Sequence, residues 1–242
     1  MAAVSNAMLF SAGLGTRMRP ITARIPKALI ELGGKPILDY AIERFNEVGC
    51  RRLVINGHHH ADQLEAHVAR TPSEAELVYI HEPVLLETGG TVVSALPLLG
   101  PDAFFAVNMD MIWLDTPGSV PALERLRRAF DPERMDALLL LQPMTRTVGY
   151  GGRGDFGLNA AGELTREGER PYAYASLQIL HPRLFAGRKL ETFSLREVWF
   201  APQRPDGSLA RIHGLVHEGD WLHVGTPGEL AAAEAFLAQR VQ

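Results

Sequence analysis

A single cysteine, Cys50, stands among the 242 residues, so no intrachain disulfide is available and the thiol usage fits a reducing compartment. No apolar run approaches the roughly 18 residues that a bilayer span needs, so no membrane partner is expected. The N-terminus lacks a basic flank ahead of its short apolar run and reads poorly as a secretory signal, which leaves the cytoplasm as the expected location. Positive charge is not in excess. The 24 Lys and Arg residues face 28 Asp and Glu, and the net charge of −4 carries no electrostatic footprint for DNA or RNA. Internal repeats, low-complexity linkers and heptads are also missing. Two familiar phosphate-binding signatures are absent as well: the Gly-x-x-x-x-Gly-Lys-Ser/Thr loop of ATPases, and the dinucleotide fingerprint, whose third glycine position is taken by Met18.

What is present is ordinary globular material, 46% hydrophobic and 21% charged, long enough to bury a full core as one domain over 1–242. Short apolar runs at Ala7–Phe10, Arg52–Asn56, Glu76–His81, Ala103–Asn108 and Ala137–Gln142 read as buried strands. Helical patterns fill the gaps at Ile37–Val48, Asp62–Ala69, Thr91–Leu96 and Pro121–Phe130. Leu38, Ala41, Ile42, Phe45 and Val48 share a face of the first helix, and Gly49 stands where a C-terminal cap belongs. This alternation predicts an α/β fold with a doubly wound, mostly parallel, Rossmann-like central sheet flanked by helices. Past Met144 the texture changes. Gly149–Gly154 is glycine-rich and basic, and Asp155–Leu158, Tyr172–Leu180, Ala210–Val216 and Trp221–Val224 look extended. The second half therefore reads as an antiparallel addition to the same sheet or a small lid, with Pro227–Gln242 as a closing helix.

Chemistry concentrates after the first strand, in Phe10-Ser11-Ala12-Gly13-Leu14-Gly15-Thr16-Arg17-Met18-Arg19-Pro20. An apolar strand that runs into glycines and cationic side chains presents backbone N–H groups and positive charge to phosphate. A polyphosphate leaving group needs that combination, because negative charge builds on the departing oxygens. Arg17 and Lys27 supply fixed charge here, while Gly13 and Gly15 let the backbone approach a ligand. The competing reading is a turn whose arginines face water.

From Ala12 through Thr22, with Ile25-Pro26-Lys27-Ala28-Leu29 following, the chain resembles the signature of the sugar-1-phosphate nucleotidylyltransferases. Further stretches resemble that family in its own order: Gly33–Leu38, Glu87-Thr88-Gly89-Gly90-Thr91, Val107-Asn108-Met109-Asp110, Gly154-Asp155-Phe156 and Val224-Gly225-Thr226-Pro227. The resemblance implies the nucleotide-diphospho-sugar transferase fold and an in-line displacement, in which a sugar 1-phosphate attacks the α-phosphorus of a nucleoside triphosphate and pyrophosphate leaves. It divides the chain into a nucleotide half, about 1–143, and a sugar or lid half, about 144–242. Arg17, Lys27 and Asp110 take the catalytic roles. Ala12, Gly13, Gly15, Thr16, Glu87, Thr88 and Gly89 meet the nucleotide, and Asn108, Arg153, Gly154 and Asp155 meet the sugar. Asp110 is the implied ligand of Mg²⁺ or the softer Mn²⁺.

Two positions depart from the family pattern. Met109 replaces a glycine before the metal aspartate, and His223 stands where the closing motif commonly has a second aspartate. His223 is then a candidate ligand, with Asp220 three residues earlier as another. The triplet His58-His59-His60 reads as a solvated loop near the active edge, and His81 and Glu82 close a strand beside it. Tyr172 and Tyr174 read as strand aromatics, one of which is placed to line a sugar pocket.

Leu86–Gly90, Gly152–Phe156 and Leu180–Phe185 resemble the N-acetylmuramate-1-phosphate uridylyltransferases within that family, which implies UTP and a sugar with a lactyl carboxylate. The Arg146–Arg153 loop, Arg153 first, is the expected counter-charge. Mannose-1-phosphate guanylyltransferase, glucose-1-phosphate thymidylyl- or uridylyltransferase and a non-catalytic nucleotide-sugar binder are the alternatives. Monomer and homodimer stay equally open.

Overall fold

The computed structural model describes residues 4–201 and 207–240. The first apolar run forms β1 (Asn6–Phe10), with Ala7, Met8 and Leu9 fully buried. Three single 3-10 turns and the hairpin of β2 (Glu31–Leu32) with β3 (Lys35–Pro36) lead into α1 (Ile37–Glu47). That helix ends as its sequence predicts. Gly49 takes φ 69°, its N–H donates to the Asn46 carbonyl at 2.8 Å, and the Cys50 N–H donates to the Phe45 carbonyl at 3.0 Å. β4 (Arg52–Gly57), α2 (Ala61–Arg70), β5 (Glu76–His81), α3 (Glu87–Leu99) and β6 (Phe104–Asn108) continue the alternation. Then come β7 (Met111–Leu114), α4 (Ala122–Ala129), β8 (Ala137–Pro143), β9 (Thr147–Val148), β10 (Gly157–Leu158), β11 (Glu163–Thr165) and β12 (Tyr172–Leu180). The chain finishes with α5 (Leu195–Phe200), β13 (Ser208–Val216), β14 (Asp220–His223) and α6 (Pro227–Arg240). The last two residues of the expected closing helix, Val241 and Gln242, lie outside the described residues.

Nine strands form one sheet in the order β10-β11-β13-β8-β12-β6-β1-β4-β5. β12 runs antiparallel to β6 and β8, and β11 antiparallel to β10 and β13, while the other pairings are parallel. The sheet is therefore mixed, with four parallel and four antiparallel pairings: β6, β1, β4 and β5 form an all-parallel half, and the second half of the chain extends it around the reversed strands β11 and β12. Alternate residues feed opposite cores, as the pleat requires. Ala7, Leu9, Leu53, Ile55, Phe105 and Val107 pack with α1, α2 and α4. Met8, Val54, Phe104 and Ala106 pack with α3 and α5.

Two features go beyond the sequence expectation. α3 starts at Glu87 rather than Thr91, so the segment Glu87–Thr91 is the opening of a helix. A second, three-stranded sheet, β7-β14-β9, packs against α6 around Ile112, Leu222, Val224 and Ala233. β9 has two residues, β7 follows β6 after only two, and their partner β14 lies far along the chain.

The topology also fixes where a ligand has room. From β1 the chain passes through α1 to β4 on one side, and later through α3 to β6 on the other. That reversal opens a crevice beyond the carboxyl ends of β1 and β6, the usual ligand position in such sheets.

Candidate active site

A cleft of about 400 Å³ occupies that crevice. Residues just past β1 line it (Ser11, Ala12, Gly13, Gly15, Thr16, Arg17), joined by Asn108, Met109 and Asp110 after β6. Lys27, Glu87, Thr88, Ser194 and Gly225 also line it. Segments far apart in sequence thus meet on one edge of the sheet.

The glycine turn is shaped from beneath. Gly15 has φ 59°, its carbonyl accepts from the Thr22 hydroxyl at 2.7 Å, and a Cβ there would stand 2.7 Å from Thr22 Cγ2. Gly13 differs, because a Cβ on it would meet nothing within 4 Å. The space over Gly13 belongs to the cleft, and a ligand can approach its backbone there.

A buried polar network holds the base of the cleft. The Ser11 N–H donates to Asn56 Oδ1 at 2.8 Å, and Asn56 Nδ2 donates to Glu82 Oε1 at 2.9 Å. The Thr91 hydroxyl donates to the same Glu82 oxygen at 2.6 Å, and the Leu86 N–H donates to Oε2 at 3.4 Å. Glu82, 2% exposed, so finds donors for both oxygens without a cation. These bonds tie the ends of β1, β4 and β5 to the start of α3. In sequence Asn56 and Glu82 are strand ends and Thr91 is the close of the Glu87–Thr91 stretch, and nothing local links the three. The available signal was a polar residue closing an otherwise apolar strand. The histidines next to this network are not merely solvated. The His58 ring bonds the Glu82 carbonyl at 2.8 Å, and the His59 ring bonds the Thr22 carbonyl at 2.8 Å.

The motif Glu87-Thr88-Gly89-Gly90 divides its work. Glu87 and Thr88 line the cleft, with Glu87 at φ 56°, a costly conformation for a non-glycine residue. Gly89 does not line it, contrary to expectation. It is buried against Phe193, where a Cβ would stand 2.3 Å from the ring, and its N–H donates to the Phe193 carbonyl at 2.8 Å. A Cβ on Gly90 would stand 2.2 Å from the Glu191 carbonyl oxygen. Both glycines serve close packing of α3 on the 191–195 segment.

At the other end, Lys27 Nζ lies 3.3 Å from Asp110 Oδ2, the two side chains being 13% and 25% exposed. Asp110 Oδ1 is buried with no hydrogen-bond partner. A carboxylate oxygen left in that state suits a hard cation, so Asp110 fits the divalent-metal role. Among the described residues no three His, Cys, Asp or Glu side chains converge into a cage. Such a site leaves most of the coordination to water and phosphate, as Mg²⁺ prefers. His223 Nδ1 approaches Glu229 Oε2 at 3.1 Å, and that oxygen accepts from the Gly225 N–H at 2.8 Å. Asp220 is corrected out of the metal set, since Arg240 and Arg146 hold its carboxylate, the latter at 3.7 Å. Met109 is 4% exposed and packs into the core.

A second cavity, of about 200 Å³, adjoins the first: His223 lines it while Gly225 lines the cleft. Tyr150, Asp155, Tyr174 and Ser176 contribute to its wall. Asp155 Oδ2 accepts from the Tyr174 N–H at 2.9 Å and from the Tyr150 hydroxyl at 3.5 Å. Burial and then the Asp110 carboxylate push the Tyr174 hydroxyl well above its ordinary pKa, so it stays a neutral donor. Ser176 takes φ 59° where the β12 register slips between Tyr174 and Gln178, which aims this stretch at the cavity. Gly154 sits against the Arg170 carbonyl oxygen, 1.8 Å from where a Cβ would be. The expected sugar contact Arg153 is exposed and lines neither cavity, and Arg146 is engaged with Asp220. The arginines that do line the second cavity, Arg166, Arg170 and Arg196, carried no local motif.

The family model for the MobA-like NTP transferase domain matches residues 7–193, which spans the cleft. The chain belongs to that family. Across 240 residues it is 39% identical to the N-acetylmuramate alpha-1-phosphate uridylyltransferase of Caulobacter vibrioides, covering 96% of this chain and 97% of that protein. It is 32% identical over 237 residues to the protein of the same name from Neisseria meningitidis, again covering 96% and 97%. A solved UDP-glucose pyrophosphorylase in complex with UDP-glucose superposes with a TM-score of 0.74 at 17% identity, over 98% of this chain and all of that one, and shares the fold. As a MobA-like NTP transferase the protein is a nucleotidyltransferase, and its cleft lies where the α/β topology puts a nucleotide.

Proposed function

We propose that the protein transfers a uridylyl group from UTP to N-acetylmuramic acid α-1-phosphate, giving UDP-N-acetylmuramic acid and pyrophosphate. The observation that carries this reading is the Lys27–Asp110 pair at the switch-point cleft, facing a glycine turn with an open backbone. Likeness along almost the full chain to two uridylyltransferases named for that sugar supports the choice of substrate.

In the proposed reaction a phosphate oxygen of the sugar 1-phosphate forms a bond to the α-phosphorus. The bridging α–β P–O bond breaks, and its electron pair leaves on pyrophosphate. The nucleophile is already anionic, so no general base is assigned. Positioning and charge neutralisation supply the acceleration. Backbone N–H groups around Gly13 and Gly15 cradle the triphosphate, Arg17 takes up charge on the departing group, and Lys27 holds the reacting phosphates. Ala12, Thr16, Glu87 and Thr88 hold the nucleoside, while Asn108, Gly154 and Asp155 hold the sugar. Asp110, with its unpaired Oδ1, would hold Mg²⁺ or Mn²⁺, with His223 beside it. When bound, that ion neutralises the phosphate oxygens. We place the activity in the cytoplasm, in keeping with a lone buried thiol.

The test is pyrophosphate release with UTP, GTP, CTP or dTTP, Mg²⁺ or Mn²⁺, and a panel of sugar 1-phosphates. Fastest turnover with UTP and N-acetylmuramic acid α-1-phosphate is expected. Faster turnover with mannose or glucose 1-phosphate overturns the sugar assignment, and no release with any pair leaves a binding protein.

A further inference from the structure

The second cavity brings three guanidinium groups to one wall, Arg166 and Arg170 from the connection between β11 and β12 and Arg196 from α5. Among the described residues none of them is in an ion pair. Two stack on the same ring: the Arg166 guanidinium lies 4.2 Å from the Phe200 centroid and that of Arg196 lies 5.4 Å from it. Like charges gathered this way repel unless an anion sits among them, and stacking leaves their N–H edges free to donate. Among the described residues Asp155 is the one carboxylate of this wall, and its Oδ2 accepts from the Tyr174 N–H and the Tyr150 hydroxyl. Its single charge does not balance three guanidinium groups. The cavity borders the catalytic cleft along two segments, since Ser194 lines the cleft and Arg196 the cavity, and Gly225 lines the cleft and His223 the cavity. A sugar whose phosphate lies at Asp110 can therefore extend a substituent toward the arginines.

We propose that Arg166, Arg170 and Arg196 form a carboxylate subsite that selects the lactyl group of the sugar. The inference rests on the muramic reading above and replaces the Arg146–Arg153 loop in that role. Arg170 is central, because its backbone is clamped against Gly154 and so fixed beside Asp155. Arg166 and Arg196 flank the carboxylate with guanidinium planes held by Phe200. The Gly154-Asp155-Phe156 motif then acts by setting the arginine wall.

The experiment compares two sugars within each protein: kcat/KM for N-acetylmuramic acid α-1-phosphate divided by that for N-acetylglucosamine 1-phosphate, which lacks the lactyl group. Titration calorimetry of UDP-N-acetylmuramic acid against UDP-N-acetylglucosamine gives the same ratio in binding. Arg170→Gln is expected to lower both ratios about 10- to 150-fold, the range of one charge-assisted hydrogen bond. Arg166→Gln and Arg196→Gln should lower them less, and Arg153→Gln should leave them as in the wild type. The three arginines are exposed, and thermal melting verifies that each variant is folded. A wild-type enzyme that prefers the muramic sugar, with ratios unmoved in Arg166→Gln, Arg170→Gln and Arg196→Gln, overturns the subsite and leaves the proposed function standing. A wild type with no preference overturns both.

Discussion

Lys27 and Asp110 show how much one pair decides. They stand 3.3 Å apart at the mouth of the switch-point crevice, where charge would develop on transferred phosphate. Lys27→Ala and Arg17→Ala are each expected to cut turnover by about 10²-fold or more without unfolding the protein, read as pyrophosphate release. Wild-type rates in both variants would remove these residues from the mechanism. Asp110→Asn keeps the shape and loses the charge, so a Mg²⁺ titration of activity should shift steeply to higher concentration. His223→Asp tests the departure from the family pattern. The new carboxylate would stand against Glu229, whose Oε2 lies 3.1 Å from the His223 ring. Two carboxylates there repel unless a cation lies between them. The Tm of His223→Asp should fall in a chelator and recover with Mg²⁺, whereas the wild type should respond little. A variant whose Tm ignores the ion shows that no cation comes near this position.

At the scale of the element, the two glycine-bearing turns of the cleft have opposite duties. The first turn opens space at Gly13 for a ligand, while α3 spends Gly89 and Gly90 on contact with the 191–195 segment. Gly89→Ala forces a Cβ to 2.3 Å from the Phe193 ring. It should destabilise by about 1–3 kcal/mol, a Tm fall of roughly 2–12 °C in a chain of this size. Gly13→Ala should melt like the wild type and yet bind nucleotide more weakly, seen as a raised KM for the triphosphate. If the two variants exchange phenotypes, the assignment of Gly13 to ligand and Gly89 to packing is wrong. The expected helix start at Thr91 falls four residues late because Gly89 and Gly90 are poor helix formers, and the 191–195 segment that makes them necessary lies about a hundred residues further along the chain.

Across the whole molecule, three histidines tie stability to pH. Burial is the main cause that lowers His217, against an upward pull from Asp115, with Arg125 adding to the fall. Burial likewise lowers His213 and His181. Each is neutral in the folded chain and titrates near its ordinary 6.5 once unfolded, so the unfolded chain binds more protons in acid. Folding free energy should therefore be level above neutrality and fall as pH drops below about 6.5, the ordinary histidine value. Urea titrations between pH 7.5 and 5, taken as rough bounds on the histidine range, measure it. A stability that rises in that window contradicts the burial of these rings. His217→Gln should flatten the slope, because that ring is 1% exposed and its burial is the main cause of its lowered pKa.

Local physics made much of this protein readable. Short, nearly continuous apolar runs marked the parallel strands, and the Ile37–Val48 face with Gly49 marked a helix and its cap to within a residue. The strand-then-glycine turn with Arg17 and Lys27 marked the phosphate end of the cleft, because a chain's need for close backbone approach and fixed charge is written in adjacent residues. Partnership across the sheet was not written there. Asp220 looked like a ligand until Arg146 and Arg240 took its carboxylate, and Arg153 looked like the sugar's counter-charge until it fell outside both cavities. Asn56 and Glu82 looked like strand ends, yet they form the buried frame beneath the cleft. Charges and hydrogen-bond groups act over a few ångströms, and only long-range strand pairing, of β14 with β9 for Asp220 and Arg146 and of β4 with β1 and β5 for Asn56 and Glu82, brought these groups within that reach.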